Sequence, residues 1–305
     1  MSCIDEYLIS GRSFYLLTGW IIICDCFFHR LNKFNDNGGV IFCSSNGNIN
    51  IQYSVFSCCG TLKSGGAIYI FANSSTIKNI CSFNCSCSEN GGFGYFSSMN
   101  RHNYSSIANS SSTLYGAYAI LYSKTISNNM NVTFSNGPSG SSAFIYKTQE
   151  IAISFSCFCC SKASSLGVFY HEGYGGSITN ITYNNIHNNT CSSYGIIYSY
   201  KSSFHHYNCH FSGNSGTLVY GESSELRFFN CYMSHSGTKI SQGVYTVNCS
   251  DTTYQIPFVF TIYQTYLCLA ENPFLLLPDP TRPQLVTQLY VSNSRIVFIF
   301  ELLTI

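Results

Sequence analysis

Gly39-Val40-Ile41-Phe42 is the first of nine short segments in which a small residue is followed by apolar or aromatic residues. The segments return every 21 to 28 residues, so one structural unit is built repeatedly along the chain. Each unit then buries its apolar side only against its neighbours. The nine leading residues are Gly39, Gly66, Gly92, Gly116, Ser142, Gly167, Gly195, Gly216 and Gly243.

The repeats share one internal order. A short apolar or β-branched segment such as 49–53 comes first, and an aromatic residue followed by small residues, as in Phe56-Ser57-Cys58-Cys59, comes next. A polar turn then leads into the glycine-headed segment. Short bursts of alternating polarity predict strands, and the Ser, Asn and Gly clusters between them predict turns. No stretch has a helical period over three turns.

A repeat of this length accommodates three short strands and three turns, which is one coil of a parallel β-helix. A leucine-rich repeat needs regular leucine spacing, and a propeller blade needs about 40 residues. Because parallel crossovers are right-handed, the sequence predicts an all-β, right-handed parallel β-helix, a solenoid of the pectin lyase-like type, with about ten coils. Residues 12–15 form a weak first coil, and the repeat domain covers residues 1–250.

One position beside a tight bend is occupied by Asn, Cys or Ser in every repeat. Small or amide side chains at such a bend form a vertical ladder, in which each meets its copy about 4.8 Å above. The predicted members of this column are Asn32, Cys59, Cys85, Asn109, Ser135, Cys160, Asn188, Cys209 and Ser236.

The composition changes after Cys249. Five of the six prolines fall within residues 257–283, and proline cannot donate a hydrogen bond to a sheet. We expect residues 251–305 to form a cap or stalk that covers the open end of the coil. One or two strands are predicted there, containing Leu285, Val286, Leu289, Tyr290 and Val291.

Charge is scarce and balanced, with 14 Lys and Arg against 13 Asp and Glu. This balance removes the electrostatic basis for binding nucleic acid. β-Helices that cleave acidic polysaccharides need clustered carboxylates with Arg or Lys. No aspartate lies between Asp36 and Asp251, and among the glutamates of that region only Glu222 and Glu225 are close in sequence. We therefore expect a protein that is not an enzyme, with no catalytic residue and no cofactor.

Two groups of side chains are candidates for metal ligands. His205, His206, Cys209 and His210 lie close together in sequence, and His187 lies one repeat earlier. In a strand, His206 and His210 share one side while His205 and Cys209 share the other, so no metal site is predicted from them. The 17 cysteines leave three interpretations: buried small residues in a column, disulfides of a secreted protein, or zinc held by Cys-x-Cys pairs.

Tyrosines recur at the ends of the glycine-headed segments. A vertical stripe of them either binds sugars or a partner at the surface, or stacks in the interior. The members are Tyr69, Tyr95, Tyr170, Tyr198 and Tyr220.

Eight Asn-x-Ser/Thr sequons would be glycan acceptors in a secretory pathway. No signal peptide is readable near Met1, and no apolar run reaches the roughly 20 residues that span a bilayer. The sequons begin at Asn73, Asn84, Asn103, Asn109, Asn131, Asn180, Asn188 and Asn248.

The pairing of an aromatic-x-x-small element with a Gly-Gly-apolar segment resembles the repeats of the polymorphic membrane proteins. These are chlamydial surface proteins, and similar repeat proteins occur in trichomonad protists. The glycine half is matched by Gly38-Gly39-Val40-Ile41, Gly65-Gly66-Ala67-Ile68 and Gly91-Gly92-Phe93, and the other half by Phe211-Ser212-Gly213-Asn214. The resemblance covers about residues 11–249. It implies an extracellular or cell-surface β-helix that is adhesive and binds a host-cell or glycan ligand.

Two other functions stay open. One is a polysaccharide-active β-helix enzyme or its degenerate relative, which a groove of convergent carboxylates with Lys or Arg would favour. The other is a cytosolic structural repeat protein, which would carry no glycan. Members of the resembled family have a signal sequence and a membrane anchor, and neither is readable in this chain.

Overall fold

Parallel backbone pairing joins every repeat to the next one along the chain. The computed structural model describes residues 3–4, 14–16, 20–24, 26–33, 35–44, 46–122, 124–234, 244–250, 285–292 and 295–302. Within them the fold is an all-β parallel solenoid of about eight turns without a helix, which confirms the predicted fold class. About ten turns were predicted. The hand of the coil stays a prediction.

Each turn starts where the glycine-headed segment enters its strand. These first residues pair with one another in register from turn to turn. Turns 1 to 8 begin at Ile41, Ile68, Gly94, Tyr118, Ala143, Phe169, Ile197 and Val219.

A turn has four straight sides, which we call faces 1 to 4 in chain order, where the sequence predicted three. Face 1 contains Phe14–Leu16, Ile41–Ser44, Tyr118–Leu121, Ile197–Tyr200 and Val219–Glu222. Face 2 contains Trp20–Cys24, Asn48–Gln52, Ser203–Tyr207, Glu225–Phe229 and Val244–Val247. Face 3 contains Cys3–Ile4, Cys26–His29, Val55–Ser57, Cys81–Phe83, Cys157–Cys159, Asn185–His187, His210–Ser212 and Tyr232–Ser234. Face 4 contains Asn32–Lys33, Gly60–Thr61, Ser86–Cys87, Ser111–Ser112, Asn136–Gly137, Lys162–Ala163 and Thr190–Cys191.

Longer strands bend through a corner and belong to more than one face. Faces 1 and 2 share Ile68–Lys78, Ala143–Ser154 and Phe169–Thr182, faces 2 and 3 share Lys124–Thr133, and Gly94–Ala108 passes through all three. Face 4 was not predicted from the sequence. Its strands are only two residues long and mostly polar, so they show no alternation of polar and apolar residues.

Alternating burial along the strands builds one continuous core inside the coil. On face 2, Ile49 and Ile51 point inward between partly exposed neighbours, and Ile77 stacks beside Ile51 in the next turn. The same core cluster extends from Ile21 to Cys231. Burying each such Ile or Phe side chain contributes about 1.5–3 kcal/mol. The hydrophobic effect therefore acts along the whole length of the coil.

The leading glycines are required by close approach between turns. A Cβ on Gly39 would lie 2.1 Å from the carbonyl oxygen of Gly66, and one on Gly66 would lie 1.9 Å from that of Gly92. No side chain fits at such distances. Gly39, Gly66 and Gly92 thus stand in one file, as the repeat alignment requires.

Two of the nine predicted leading positions are wrong by one residue. Counted back from the register of face 1, the positions equivalent to Gly39 are Ser141 and Thr217, and Ser142 and Gly216 lie beside them. Gly216 instead occupies the preceding site, where Gly38 and Gly65 adopt a left-handed backbone. At Gly216 the reason is a shorter connection from face 4 to face 1, since Ser215 pairs with Thr190 and Val219 with Ile197. At Ser142 the preceding residue is also serine, so the sequence did not distinguish the two positions. Gly243 lies outside the described residues.

The residues of the predicted Asn, Cys and Ser column lie mainly at two corners of the coil and do not form a single file. At the corner between faces 3 and 4, a residue with positive φ is followed by a buried one, as in Asn188 and Asn189. The predicted column mixes the two files: Cys59, Cys85 and Ser135 are inner members. The outer members are Asn109, Cys160 and Asn188. Cys209 belongs to the corner between faces 2 and 3, Asn32 pairs with Gly60 instead of Cys59, and Ser236 lies outside the described residues.

The inner corner residues replace sheet hydrogen bonds that the bend interrupts. The side-chain oxygen Oδ1 of Asn189 accepts a hydrogen bond from the Ser161 backbone amide at 3.0 Å, and Asn189 Nδ2 donates to the Phe158 backbone carbonyl at 2.9 Å. Where the inner residue is cysteine, its thiol donates instead, as Cys85 Sγ does to the Phe56 carbonyl at 3.6 Å. Cys59, Cys85, Cys209 and Cys231 are buried free thiols, which confirms the buried-column interpretation for them. Cys81 is disulfide-bonded.

The C-terminal strands form a hairpin. Leu285–Ser292 pairs antiparallel with Arg295–Leu302, and Arg295 also pairs with Trp20 near the first turn. The predicted strand residues Leu285, Val286, Leu289, Tyr290 and Val291 all lie in the first strand of this hairpin. Residues 251–284 lie outside the described residues, so the cap or stalk stays a prediction.

Gly66→Ala is expected to destabilise the coil by about 1–3 kcal/mol, because the added methyl group must displace the backbone of the next turn. Urea unfolding followed by circular dichroism measures the change. Ser86→Ala, at an exposed position on face 4, is the matched control and should alter stability by less than about 0.5 kcal/mol. Equal unfolding midpoints for the two variants would contradict the close-approach argument.

Candidate functional site

The predicted tyrosines form stacked ladders on the outer side of face 1. Tyr69 stacks on Tyr95 with ring centroids 4.7 Å apart. In later turns Phe144, Tyr170, Tyr198 and Tyr220 stack in order, with centroid distances of 4.7, 5.3 and 5.5 Å. The ladder arises because residues directly opposite in a parallel register are identical or similar in type.

This ladder is the centre of a second hydrophobic cluster, separate from the core of the coil. Phe144, Tyr170 and Tyr198 are buried within it, and partly exposed rings surround them. We call the partly exposed outer part of this cluster the tyrosine face. It consists of Tyr95, Tyr115, Tyr146, Tyr200 and Tyr220.

Carboxylates alternate with tyrosines along one edge of the tyrosine face. Tyr146, Glu172, Tyr200 and Glu222 are successive partners in the face 1 register. The hydroxyl of Tyr170 donates to Glu172 Oε2 at 2.8 Å, and that of Tyr198 donates to Glu222 Oε2 at 3.1 Å. Burial, together with the bond to Glu172, raises the pKa of Tyr170, which keeps the hydroxyl a donor.

Two lysines complete this edge at the corner between faces 1 and 2. The Lys147 amino group lies 4.9 Å from the ring centre of Tyr146, and that of Lys201 lies 4.8 Å from the ring centre of Tyr200. Cation–π contacts of this kind contribute about 0.5–1 kcal/mol at exposed sites. The edge therefore presents hydroxyl, carboxylate and ammonium groups side by side.

The stacking geometry limits what the ladder can bind. Because Phe144 and Tyr170 are nearly parallel, at 9°, each covers the flat side of the other. A ring inside the ladder is therefore covered on its flat sides, and a sugar cannot stack flat on it. Recognition through hydroxyls and the neighbouring charges fits this surface better than sugar stacking.

The acidic pair that the sequence singled out does not converge. Glu222 lies on face 1, whereas Glu225 lies on face 2 and forms an ion pair with Arg227. Glu172, Lys147 and Lys201, which share the edge with Glu222, were not predicted, because their proximity arises from stacking of different turns. The recurring pairs Tyr146-Lys147 and Tyr200-Lys201 were the only signal in the sequence.

The sequons avoid face 1. Asn73, Asn84, Asn109, Asn180, Asn188 and Asn248 are exposed, Asn103 is partly exposed and Asn131 is buried. Asn103 and Asn180 lie on face 2, Asn131 on face 3, and the others at corners. Asn84 and Asn109 are neighbours in one corner file, where Asn109 Nδ2 donates to Asn84 Oδ1 at 3.3 Å.

The histidine group is split by a corner, although differently from the prediction. His206 points into the core, whereas His210 is on the outer side of face 3, because the left-handed bend at Asn208 separates their strands. His205 is on the outer side of face 2 and Cys209 is buried at the corner. His187 lies on face 3 one turn before His210, where it pairs with Cys159 on one side and Ser212 on the other.

Three histidines are buried in the core, which the sequence did not indicate. They are His102, His171 and His206, and burial lowers the pKa of each to about 3. His206 stacks on Phe228 with ring centroids 4.7 Å apart, as an aromatic residue of the core would. These residues are neutral at physiological pH.

No helix among the described residues is long and apolar enough to cross a bilayer. Comparison with known proteins finds no matching family model, no matching curated protein and no matching solved structure.

The stability of the coil is expected to fall as the pH falls below about 6.5. Each buried histidine has a folded-state pKa of about 3. The unfolded chain therefore takes up protons first, and each group lowers the free energy of unfolding by up to about 1.4 kcal/mol per pH unit. His206→Phe, which keeps the aromatic stack, should make this decline shallower.

Urea unfolding between pH 7 and pH 4 measures this dependence. His205→Gln, on the outer side of the neighbouring position, is the control and should change the slope less. An unchanged slope in His206→Phe would show that the buried histidine is not responsible.

Glycan mapping is expected to find exposed sequons such as Asn180 and Asn188 occupied and Asn131 unoccupied, because a glycan cannot be placed on a buried amide. Asn84 and Asn109 should not both be occupied on one molecule, since neighbouring turns lie only about 4.8 Å apart. Mass spectrometry of protein secreted by eukaryotic cells measures occupancy. A fully occupied Asn131 in folded protein would contradict the described fold of face 3.

Proposed function

We propose that this chain is a non-enzymatic cell-surface or secreted β-solenoid that adheres through its tyrosine face to a host-cell or glycan ligand. The observation that supports this most is the segregation of two features. A second aromatic cluster lies outside the core on face 1, and none of the eight sequons lies on that face. Glycans on the other faces and corners would leave the tyrosine face accessible.

The chemistry of the tyrosine face suits a binding surface. Tyrosine combines apolar area with a hydroxyl at a small entropic cost and is enriched in interfaces. Glu172, Glu222 and Lys201 add charges of both signs along the edge of the aromatic surface. Because the sheet already holds these side chains in place, little conformational entropy is lost when a partner binds.

The proposed assignment to proteins of the polymorphic membrane protein type is supported by the glycine pairs. Gly38 and Gly65 adopt left-handed conformations, and the glycines that follow them lie against the backbone of the next turn. A Gly-Gly-apolar motif thus has a structural cause in this coil. Localisation at the cell surface or outside the cell is part of the same proposal. Association with a membrane is also part of it, and would be made through a partner or another segment.

One observation favours the alternative of a polysaccharide-active enzyme. Glu172 and Glu222 are in one file, two turns apart, with Lys201 near both. Both carboxylates, however, already accept a hydrogen bond from a tyrosine hydroxyl. This arrangement engages both carboxylates in the ladder instead of leaving them free to act on a substrate.

The double variant Tyr146→Ser/Tyr200→Ser is expected to weaken binding to cell monolayers or to a glycan array at least about tenfold, as loss of interface anchors does. Both rings are partly exposed, so the core stays intact. The control is Tyr104→Ser, in which a 45% exposed tyrosine at the corner between faces 2 and 3 is removed. Equal loss of binding in both, or none in either, would reject the tyrosine face as the binding surface.

The same preparations distinguish the enzymatic alternative. Cleavage of a polysaccharide by the unaltered protein, lost in Glu172→Gln, would replace the adhesive function with a catalytic one.

A further inference from the structure

A group of three metal-binding side chains lies on the outer side of face 3, away from the tyrosine face. Cys157, Cys159 and His187 each offer one ligand atom, and these atoms all lie within 4.8 Å of one another. Cys157 Sγ and a ring nitrogen of His187, Nε2, are 3.5 Å apart. The three residues come from two different turns of the coil.

The register explains why these side chains meet. Phe158 points into the core, so Cys157 and Cys159 on either side of it both point outward from the same strand. His187 pairs directly with Cys159 in the following turn. The two strands are joined in a parallel sheet, so the ligands are held on a rigid surface before any ion arrives.

We propose that Cys157, Cys159 and His187 bind a zinc ion. Two thiolates and a neutral imidazole are ligands that Zn²⁺ takes in tetrahedral sites. At ordinary Zn–S and Zn–N bond lengths, ligand atoms of a tetrahedral site lie about 3.5–3.8 Å apart, and the Cys157–His187 separation already has this value. Small movements of the side chains would complete the geometry.

The surroundings of the group favour an ion of this kind. Cys157 and Cys159 are 3% and 9% exposed, and both are free thiols. A hydrogen bond with the Cys157 thiol, together with burial, raises the pKa of Cys159. Binding Zn²⁺ releases their two protons to solvent, and the two thiolates then balance the charge of the ion.

One coordination position remains for a further ligand. Cys160 follows directly, in a left-handed conformation at the corner between faces 3 and 4, and is partly exposed. Its thiol or a water molecule can complete the tetrahedron. The site joins turns 5 and 6 and is independent of the adhesive function proposed above.

Titration of the reduced full chain with Co²⁺, followed by competition with Zn²⁺, tests the site. Tetrahedral thiolate coordination gives visible d–d bands and a charge-transfer band. Cys157→Ser, Cys159→Ser and His187→Gln should each weaken binding about 100-fold or more. Cys58→Ser removes a free, partly exposed thiol at the corresponding corner and should bind like the unaltered chain.

Alkylation mapping of the unaltered protein provides a second readout that needs no substitution. Zn²⁺ should lower the rate at which Cys157 and Cys159 are modified relative to the metal-free protein, and it should leave the rate at Cys58 unchanged. Equal protection of all thiols, an unchanged Co²⁺ spectrum in the three variants, or a disulfide between Cys157 and Cys159 in protein isolated without reductant would each overturn the proposal.

Discussion

Backbone hydrogen bonds between successive turns are the constraint from which the other features of this molecule follow. They hold each residue beside its equivalent in the next repeat, at the spacing of paired strands. Equivalent side chains therefore contact one another, and charged residues would repel along a file. This accounts for a chain in which only 9% of residues are charged. It also accounts for the glycines, because a Cβ on Gly66 would meet the backbone of the following turn.

The corners are the second consequence of stacking. A coil must bend four times in each turn, and every bend takes some amides out of the sheet. Asn189 and Asn214 restore the missing bonds with their side chains, and Cys85 or Cys209 does so through a thiol. A cysteine at these positions is thus a small hydrogen-bonding core residue. The abundance of cysteine is not by itself a sign of disulfides.

The tyrosine face and the group of Cys157, Cys159 and His187 have the same origin and different chemistry. On face 1, stacking of large rings creates an aromatic cluster outside the core and binds Glu172 and Glu222 into its edge. On face 3, smaller side chains leave two thiols and an imidazole together. We propose adhesion for the first surface and a zinc ion for the second. Neither proposal requires a change in the coil, since both surfaces are built on paired strands.

The repeat length, the glycine-headed segments and the alternation of apolar residues were sufficient to predict a parallel β-solenoid, because these features report local geometry. They also placed Tyr170 and Tyr198 in one vertical stripe. Register was harder to predict. A shorter connection made Gly216 wrong by one residue, and two adjacent serines did the same at Ser142. The Cys-x-Cys spacing offered Cys157 and Cys159 as zinc ligands, but it could not show that His187 joins them. His187 was grouped with His205 and His210, which follow it in sequence, whereas the tertiary structure pairs it with Cys159. Only the register decides which residues of different turns become neighbours, because it depends on the length of every intervening bend.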